Sequence, residues 1–361
     1  MSKIFLKRFC KIALCLLLIL SSVSTFVLAQ GKKVEQVTSS ASYFTFTDDL
    51  SRSVEIEKPL SRIAPAGHPA NVILLTFDPN LMVGLSAKLP TNTKMFSDGI
   101  KNKPVFGAFY GKKADLNKEA VIAADPKIVI DIGEIKGSKE SMADDLNKLA
   151  EQIGINTVFI SNYLKDSGHT YRRLGELLNM KDRGEQLANY ADKAVRFANN
   201  VKDNITRERT YYYSVSNDGL QGYPQGSFHT EALDAVGGKN ILDKSFSEGN
   251  NQVSLEQIIL LNPDVIFLGN KDAYNIVMDK NGPWRSINAV KNNEVYVVPQ
   301  TLYSWIDSPP SVNRLLGIYY AASILYPKVA NINIKEEAKN YFKLFYNYDI
   351  SDAELDVALV K

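Results

Sequence analysis

Cysteine is nearly absent: the 361-residue chain has two, Cys10 and Cys15, both inside its first 29 residues. With that segment removed there is no disulfide, Cys-ligated zinc site or thiol nucleophile, so a disulfide-stapled fold is excluded. Histidine is sparse too. His68, His169 and His229 lie far apart in the chain, and such scatter makes no zinc-ligand spacing. Charge of one sign is also lacking: 42 Lys+Arg oppose 40 Asp+Glu, a formal +2, which offers nucleic acid no electrostatic footprint. There is no Gly-x-Ser-x-Gly elbow, no Gly-rich phosphate loop ending in Lys-Ser/Thr and no His-Glu-x-x-His. Asp48-Asp49 and Asp144-Asp145 read as solvated pairs rather than catalytic ones.

The amino terminus has the pattern of a secretory signal. Lys3, Lys7, Arg8 and Lys11 precede an apolar run, Ile12–Leu20. That run has nine residues, short of the ~20 of a membrane span. Val27-Leu28-Ala29 sets small residues at a cleavage point before Gln30. Removing those four cations from the 42 leaves 38 basic residues against 40 acidic, a formal −2. Cys15 sits near the start of the apolar run and follows the bulky Leu14, so a lipid anchor is not expected. The mature protein is expected to be soluble outside the cytoplasm.

Beyond a polar, Ser-rich leader, short apolar runs alternate with helical patterns. Candidate strands are Arg62–Ala66, Met82–Ser86, Pro104–Ala108, Ile128–Ile132 and Thr157–Ser161, then Tyr211–Val215, Val265–Leu268 and Val295–Val298. Between the two groups, Leu174, Leu177, Leu178, Leu187, Tyr190, Ala191, Ala194, Val195, Ala198 and Val201 recur at three- and four-residue steps, which predicts one helix over 171–205. Pro309–Leu325 and Ile334–Tyr346 read as helices. The segment Asn117–Ile130 aligns with Ser254–Phe267 at a constant offset of 137. Each copy has a capping residue, a Glu in the first helical turn, an apolar face, a Pro-marked turn and a buried strand. The organisation expected is a signal peptide (1–29), a flexible leader and lead-in (30–59), an α/β lobe (60–170), a connecting helix (171–205) and a second α/β lobe with terminal helices (206–361).

Ligands of open α/β sheets sit beyond the carboxyl ends of the strands. The loops there carry His68, Tyr110, Glu134 and Tyr163 in the first lobe, and Gln221, Tyr223, Asn270, Tyr303 and Trp305 in the second. Arg314, on the helix that follows, joins this candidate set as a group able to meet an anion. Aromatic faces with hydrogen-bonding edges suit a flat or bulky organic ligand. His229 precedes a short helix, where capping competes with ligation; His169 reads as structural.

Several stretches together resemble the iron-siderophore/cobalamin class of periplasmic binding proteins of ABC importers. They are Ser61-Arg62-Ile63-Ala64-Pro65 with the His-Pro-Ala-Asn loop, the paired Glu-containing repeats, Gly226–Asn240, and Gly282-Pro283-Trp284 leading to Val295–Pro299 and Trp305. The resemblance spans roughly 60–347. It implies two Rossmann-like α/β lobes with mostly parallel sheets joined by one long rigid helix (the class III architecture), a soluble periplasmic monomer, and delivery of solute to a membrane permease driven by an ATPase. It also implies that Glu119 and Glu256 dock into Arg pockets of that permease. Family ligands are ferric siderophores, haem, cobalamin and molybdate or tungstate; the aromatic strand ends favour a ferric chelate, with no covalently bound cofactor and no protein-held metal. Two readings of other classes stay open: a secreted metal-dependent hydrolase using His68, Glu134 and His229, and a surface interaction domain.

Overall fold

The computed structural model describes residues 42–111, 114–247 and 251–360. The signal segment and the start of the leader lie outside them. The first element among the described residues is an antiparallel hairpin, β1 (Ser42–Thr47) with β2 (Ser53–Lys58). The leader expected to be flexible over roughly 30–42 lies almost wholly outside the described residues, and the entry segment up to residue 59 forms this hairpin. Phe44 pairs with Ile56 and Phe46 with Val54, so one face of the hairpin is apolar, and Phe46 and Ile56 are buried. The turn is clasped to the body by Asp48, against expectation. Its carboxylate accepts the N–H groups of Leu50, Arg52 and Phe159 at 3.0, 2.9 and 3.1 Å and pairs with the Arg52 guanidinium at 2.6 Å. Asp49 accepts the Ser161 N–H and hydroxyl and faces His169 Nε2 at 3.1 Å.

The first parallel sheet has the order β3 (Ile63–Pro65), β4 (Ile128–Gly133), β5 (Thr157–Ser161). Met82 and then Val105 extend it through single parallel bridges, to Ile63 and Leu85. The segments expected as strands there pair only through these isolated bridges, Met82–Ser86 at two points and Pro104–Ala108 at one. Helices α1 (His68–Leu74), α2 (Lys118–Ala123), α3 (Lys139–Ile153) and α4 (Ser167–Leu177) belong to this half. The Ile- and Val-rich strands are buried on both faces, as a helix-covered parallel sheet requires.

The single helix expected over 171–205 is two. After α4 the chain reverses at Asn179 (φ 55°), and the Met180 N–H closes onto the Gly175 carbonyl at 2.8 Å, a six-residue cap that ends the helix. Then α5 (Lys181–Asn204) folds back along α4. A Cβ on Gly184 would lie 2.7 Å from the Tyr171 carbonyl oxygen, so only glycine admits this crossing. Arg172 ties the pair by reaching Glu185 and Asp192 at 2.8 and 2.9 Å. With 24 residues, α5 spans about 36 Å into the second half.

The second parallel sheet has the order β7 (Lys239–Asn240), β6 (Thr210–Ser214), β8 (Val265–Leu268), β9 (Val295–Val297). Helices α6 (Glu231–Ala235), α7 (Leu255–Leu261) and α8 (Lys271–Val277) connect it; α9 (Asn313–Leu325), α10 (Ile334–Tyr346) and α11 (Asp352–Ala358) follow. The repeat recurs in three dimensions. Asn117 caps α2 and Ser254 caps α7, and the matched residues Asp125 and Asn262 both end their helices with left-handed φ, 46° and 44°. The halves are not separated by a bare rod. Tyr190 of α5 packs its ring on Tyr319, Tyr341 and Phe345, and one apolar core runs from Ile63 and Ile128 to Tyr211 and Phe267.

Replacing Asp48 by Ala strands three backbone N–H groups and the buried face of Arg52. Urea denaturation is expected to show a loss of about 3–5 kcal/mol; a loss under about 1 kcal/mol, the range of ordinary surface changes, contradicts the clasp.

Candidate functional site

The segment from Tyr303 to Arg314 leaves β9 and passes between the two halves, touching both. Ser311 donates its hydroxyl to the Pro69 carbonyl at 3.2 Å, just after His68. Asp307, 1% exposed, collects hydrogen bonds from second-half residues: the Tyr213 hydroxyl at 2.5 Å and the Ser304 hydroxyl at 3.0 Å reach Oδ1, and His229 Nδ1 lies 2.9 Å from Oδ2. The His229 ring stacks on Tyr223, centroids 4.0 Å apart and 12° from parallel. The imidazole is therefore fixed in plane and edge, with Nδ1 turned to a buried carboxylate and Nε2 turned away from it. When a carboxylate takes the Nδ1–H, a neutral imidazole offers the Nε2 lone pair.

On the other flank, His68, Asn71, Ser86 and Lys88 of the first half face Tyr303, Ser308 and Pro309 across a cavity of about 280 Å³. His68 Nδ1 lies 3.0 Å from the Ser86 hydroxyl, and the Asn71 side chain accepts the Ser86 N–H at 3.0 Å. Among the described residues, no carboxylate lines this space.

At its end the segment delivers Arg314, 1% exposed, into a buried ion cluster. The guanidinium pairs with Glu231 of α6, lies 3.7 Å from Glu134 at the end of β4 and reaches the Asn162 carbonyl at 3.4 Å. Two carboxyl groups thus share one cation. Burial, with Glu231's charge nearby, pushes the Glu134 carboxyl up to about 8 despite Arg314; burial also raises Glu231 and lowers Arg314.

Of the residues singled out from sequence, His68, Tyr303, Tyr223, Glu134 and Arg314 meet around this one segment. The others do not. Trp305, a candidate for either lining the cleft or burial against the final helix, is 1% exposed and packs edge-on against Tyr320 in the core. Arg314, which does meet the segment and was open to either an anion or an ion pair, is enclosed by its two glutamates in a buried ion pair. The Tyr163 hydroxyl accepts the Ile135 N–H at 3.2 Å, and Tyr163 borders a different void with Glu231. Tyr110 packs on Phe109 beneath Lys136, whose Nζ is 4.3 Å from the ring centroid. Asn270 caps α8 and bonds Asn217, and the Gln221 carbonyl accepts the Ser214 hydroxyl. Asp307 and Glu231 were not singled out; the Trp-Ile-Asp-Ser-Pro-Pro run is the signal that held the first. The hydrolase reading fails on arrangement. His68, Glu134 and His229 each have a different partner, and among the described residues no group of three His, Cys, Asp or Glu could hold a metal ion.

A family model described as periplasmic binding protein matches residues 87–302. The chain belongs to the periplasmic binding protein family. Across 83% of its length this periplasmic binding protein is 23% identical to the molybdate-binding protein MolA of Haemophilus influenzae, covering 90% of that protein. It is 23% identical to the iron-uptake system-binding protein of Bacillus subtilis, over 80% of this chain and 90% of that one. Among solved structures, an ABC transporter solute-binding protein from Sulfurospirillum deleyianum superposes with a TM-score of 0.78 at 28% identity, covering 87% of this chain and 98% of the other. The mixed α/β fold with parallel sheets is that of these solute-binding proteins. Among the described residues, no helix is long and apolar enough to cross a membrane.

The ion cluster makes stability depend on pH. Glu134's carboxyl is higher in the folded protein, about 8 against an ordinary 4.5, so the unfolded chain loses this proton first as pH rises. Stability should therefore fall between about pH 4.5 and 8, and Glu134→Gln should flatten that part of the slope in denaturation curves taken across the range. An unchanged slope contradicts the assignment.

Proposed function

We propose that this periplasmic binding protein is the extracytoplasmic solute-binding component of an ABC importer, and that its solute is a ferric chelate of the siderophore class. The observation that carries the reading is the Asp307–His229–Tyr223 arrangement. A neutral imidazole so held offers Nε2 as a lone pair, which suits a metal centre with an open coordination position and repels an oxyanion. The metal belongs to the solute; the protein holds no resident metal and no covalent cofactor. Secretion through the signal segment at residues 1–29, without a lipid anchor, places the monomer where it meets the permease. Glu119 and Glu256, exposed at matched positions of α2 and α7, are the docking pair, and cationic pockets on the permease select and orient it.

A second reading, a small oxyanion such as molybdate or tungstate, is favoured by the cavity at His68. Its about 280 Å³ and its lining of hydrogen-bond donors without a carboxylate match a compact anion, and the relative from Haemophilus influenzae is named for molybdate. Burial of Trp305 and Arg314 removes one of the aromatic groups that pointed to a bulky ligand and the Arg contact open to an anion.

Titration calorimetry with a ferric tris-catecholate, a ferric hydroxamate, haemin, cobalamin, molybdate and tungstate separates these. One-to-one binding of a ferric chelate, weakened at least ~10-fold by His229→Ala, is expected. Tighter binding of molybdate or tungstate, indifferent to His229→Ala, contradicts the ferric reading. In cells, Glu119→Ala with Glu256→Ala should abolish uptake while leaving binding intact; retained uptake removes the docking role.

A further inference from the structure

Beneath the turn that presents Tyr303 lies a second, much smaller space. The void is about 10 Å³, and Trp305 and Tyr346 both line it, with Leu302, Tyr303 and Asn313. Trp305 Nε1 is buried and has no hydrogen-bond partner among the described residues, and the Tyr346 hydroxyl, also buried, faces the Tyr341 hydroxyl with hydrogen-bonding capacity to spare. An indole N–H can only donate, so it needs an acceptor that no neighbour supplies. Asn313 is occupied: its amide N–H bonds the Ser304 carbonyl and its oxygen accepts the Ser311 N–H at 3.2 Å. A void of roughly 10–15 Å³ is the least that holds one water molecule, which needs two or more polar partners to stay.

The turn above is strained. Leu302 has φ 64°, and the Tyr303 N–H bonds the Thr301 carbonyl two residues back at 2.8 Å. Such a three-residue turn with positive φ at a leucine persists only where its surroundings hold it.

We propose that one structural water occupies this socket, accepting from Trp305 Nε1 and bonding Tyr346 Oη, and that it pins the Leu302 turn in place. Trp305 and Tyr346 are then positioning residues for Tyr303. The description of Tyr303 as solute-facing rests on the binding reading above; the water does not.

A crystal structure of the full chain at about 1.6 Å or better tests the site without any solute. Density for a water within about 2.7–3.2 Å of both Trp305 Nε1 and Tyr346 Oη is expected; a Trp305 N–H bonded directly to a protein oxygen overturns the proposal. Oxygen-17 relaxation dispersion should lose one long-lived water in Trp305→Phe, and an unchanged count overturns it too. Where Trp305→Phe fails to fold, Tyr346→Phe serves. Its Leu302–Trp305 amides should exchange at least ~10-fold faster, whereas unchanged exchange there overturns the pinning role. A wild-type protein that binds none of the solutes above, yet shows the water, would sink the ferric reading and leave this one standing.

Discussion

A single guanidinium sits where the two halves of the molecule meet. Arg314 is carried by the second half, answers Glu231 of the same half, and reaches Glu134 and the Asn162 carbonyl of the first. Taking a guanidinium out of water costs several kcal/mol, and its carboxylate partners largely return that cost rather than add to it. The cluster is therefore a device for specificity. It ties the ends of β4 and β5 to α6 and α9, at the point where the segment Tyr303–Arg314 ends.

That placement organises the site. The segment holds His229 through Asp307 on one flank and closes over His68 through Tyr303, Ser308 and Ser311 on the other. Because α5, α9 and α10 share a continuous core in which aromatic rings pack edge-on, the halves are not joined by a bare hinge. Solute capture in such a frame works by fitting a nearly preformed cleft, and a preformed site wastes little binding energy on ordering itself.

The sequence was informative where burial is two-sided. Continuous runs such as Ile128–Ile132 and Val265–Leu268 read as strands because helices cover both faces of each sheet, and the 137-residue repeat marked equivalent caps, helices and strands in both halves. It misled where local pattern and tertiary contact disagree. The apolar period continues through Leu177–Leu187, so only Asn179 signals the reversal between α4 and α5. The β1–β2 hairpin buries just one face, and its Asp48-Asp49 turn looks solvated until Phe159 and Ser161 supply donors from more than a hundred residues away. Trp305 and Arg314 lie close to residues that line the site, but chain proximity cannot say which side chains turn inward; His229 is the converse, gaining its orientation from a residue 78 positions along the chain.

Amide hydrogen exchange of an Arg314→Met variant bears on the interlobe tie most directly. Loss of protection at the end of β4 and in α6 together, with the β1–β2 hairpin unaffected, is the outcome the tie requires. Protection unchanged at both places, or lost in the second half alone, would mean that the two halves are positioned by something other than this cation.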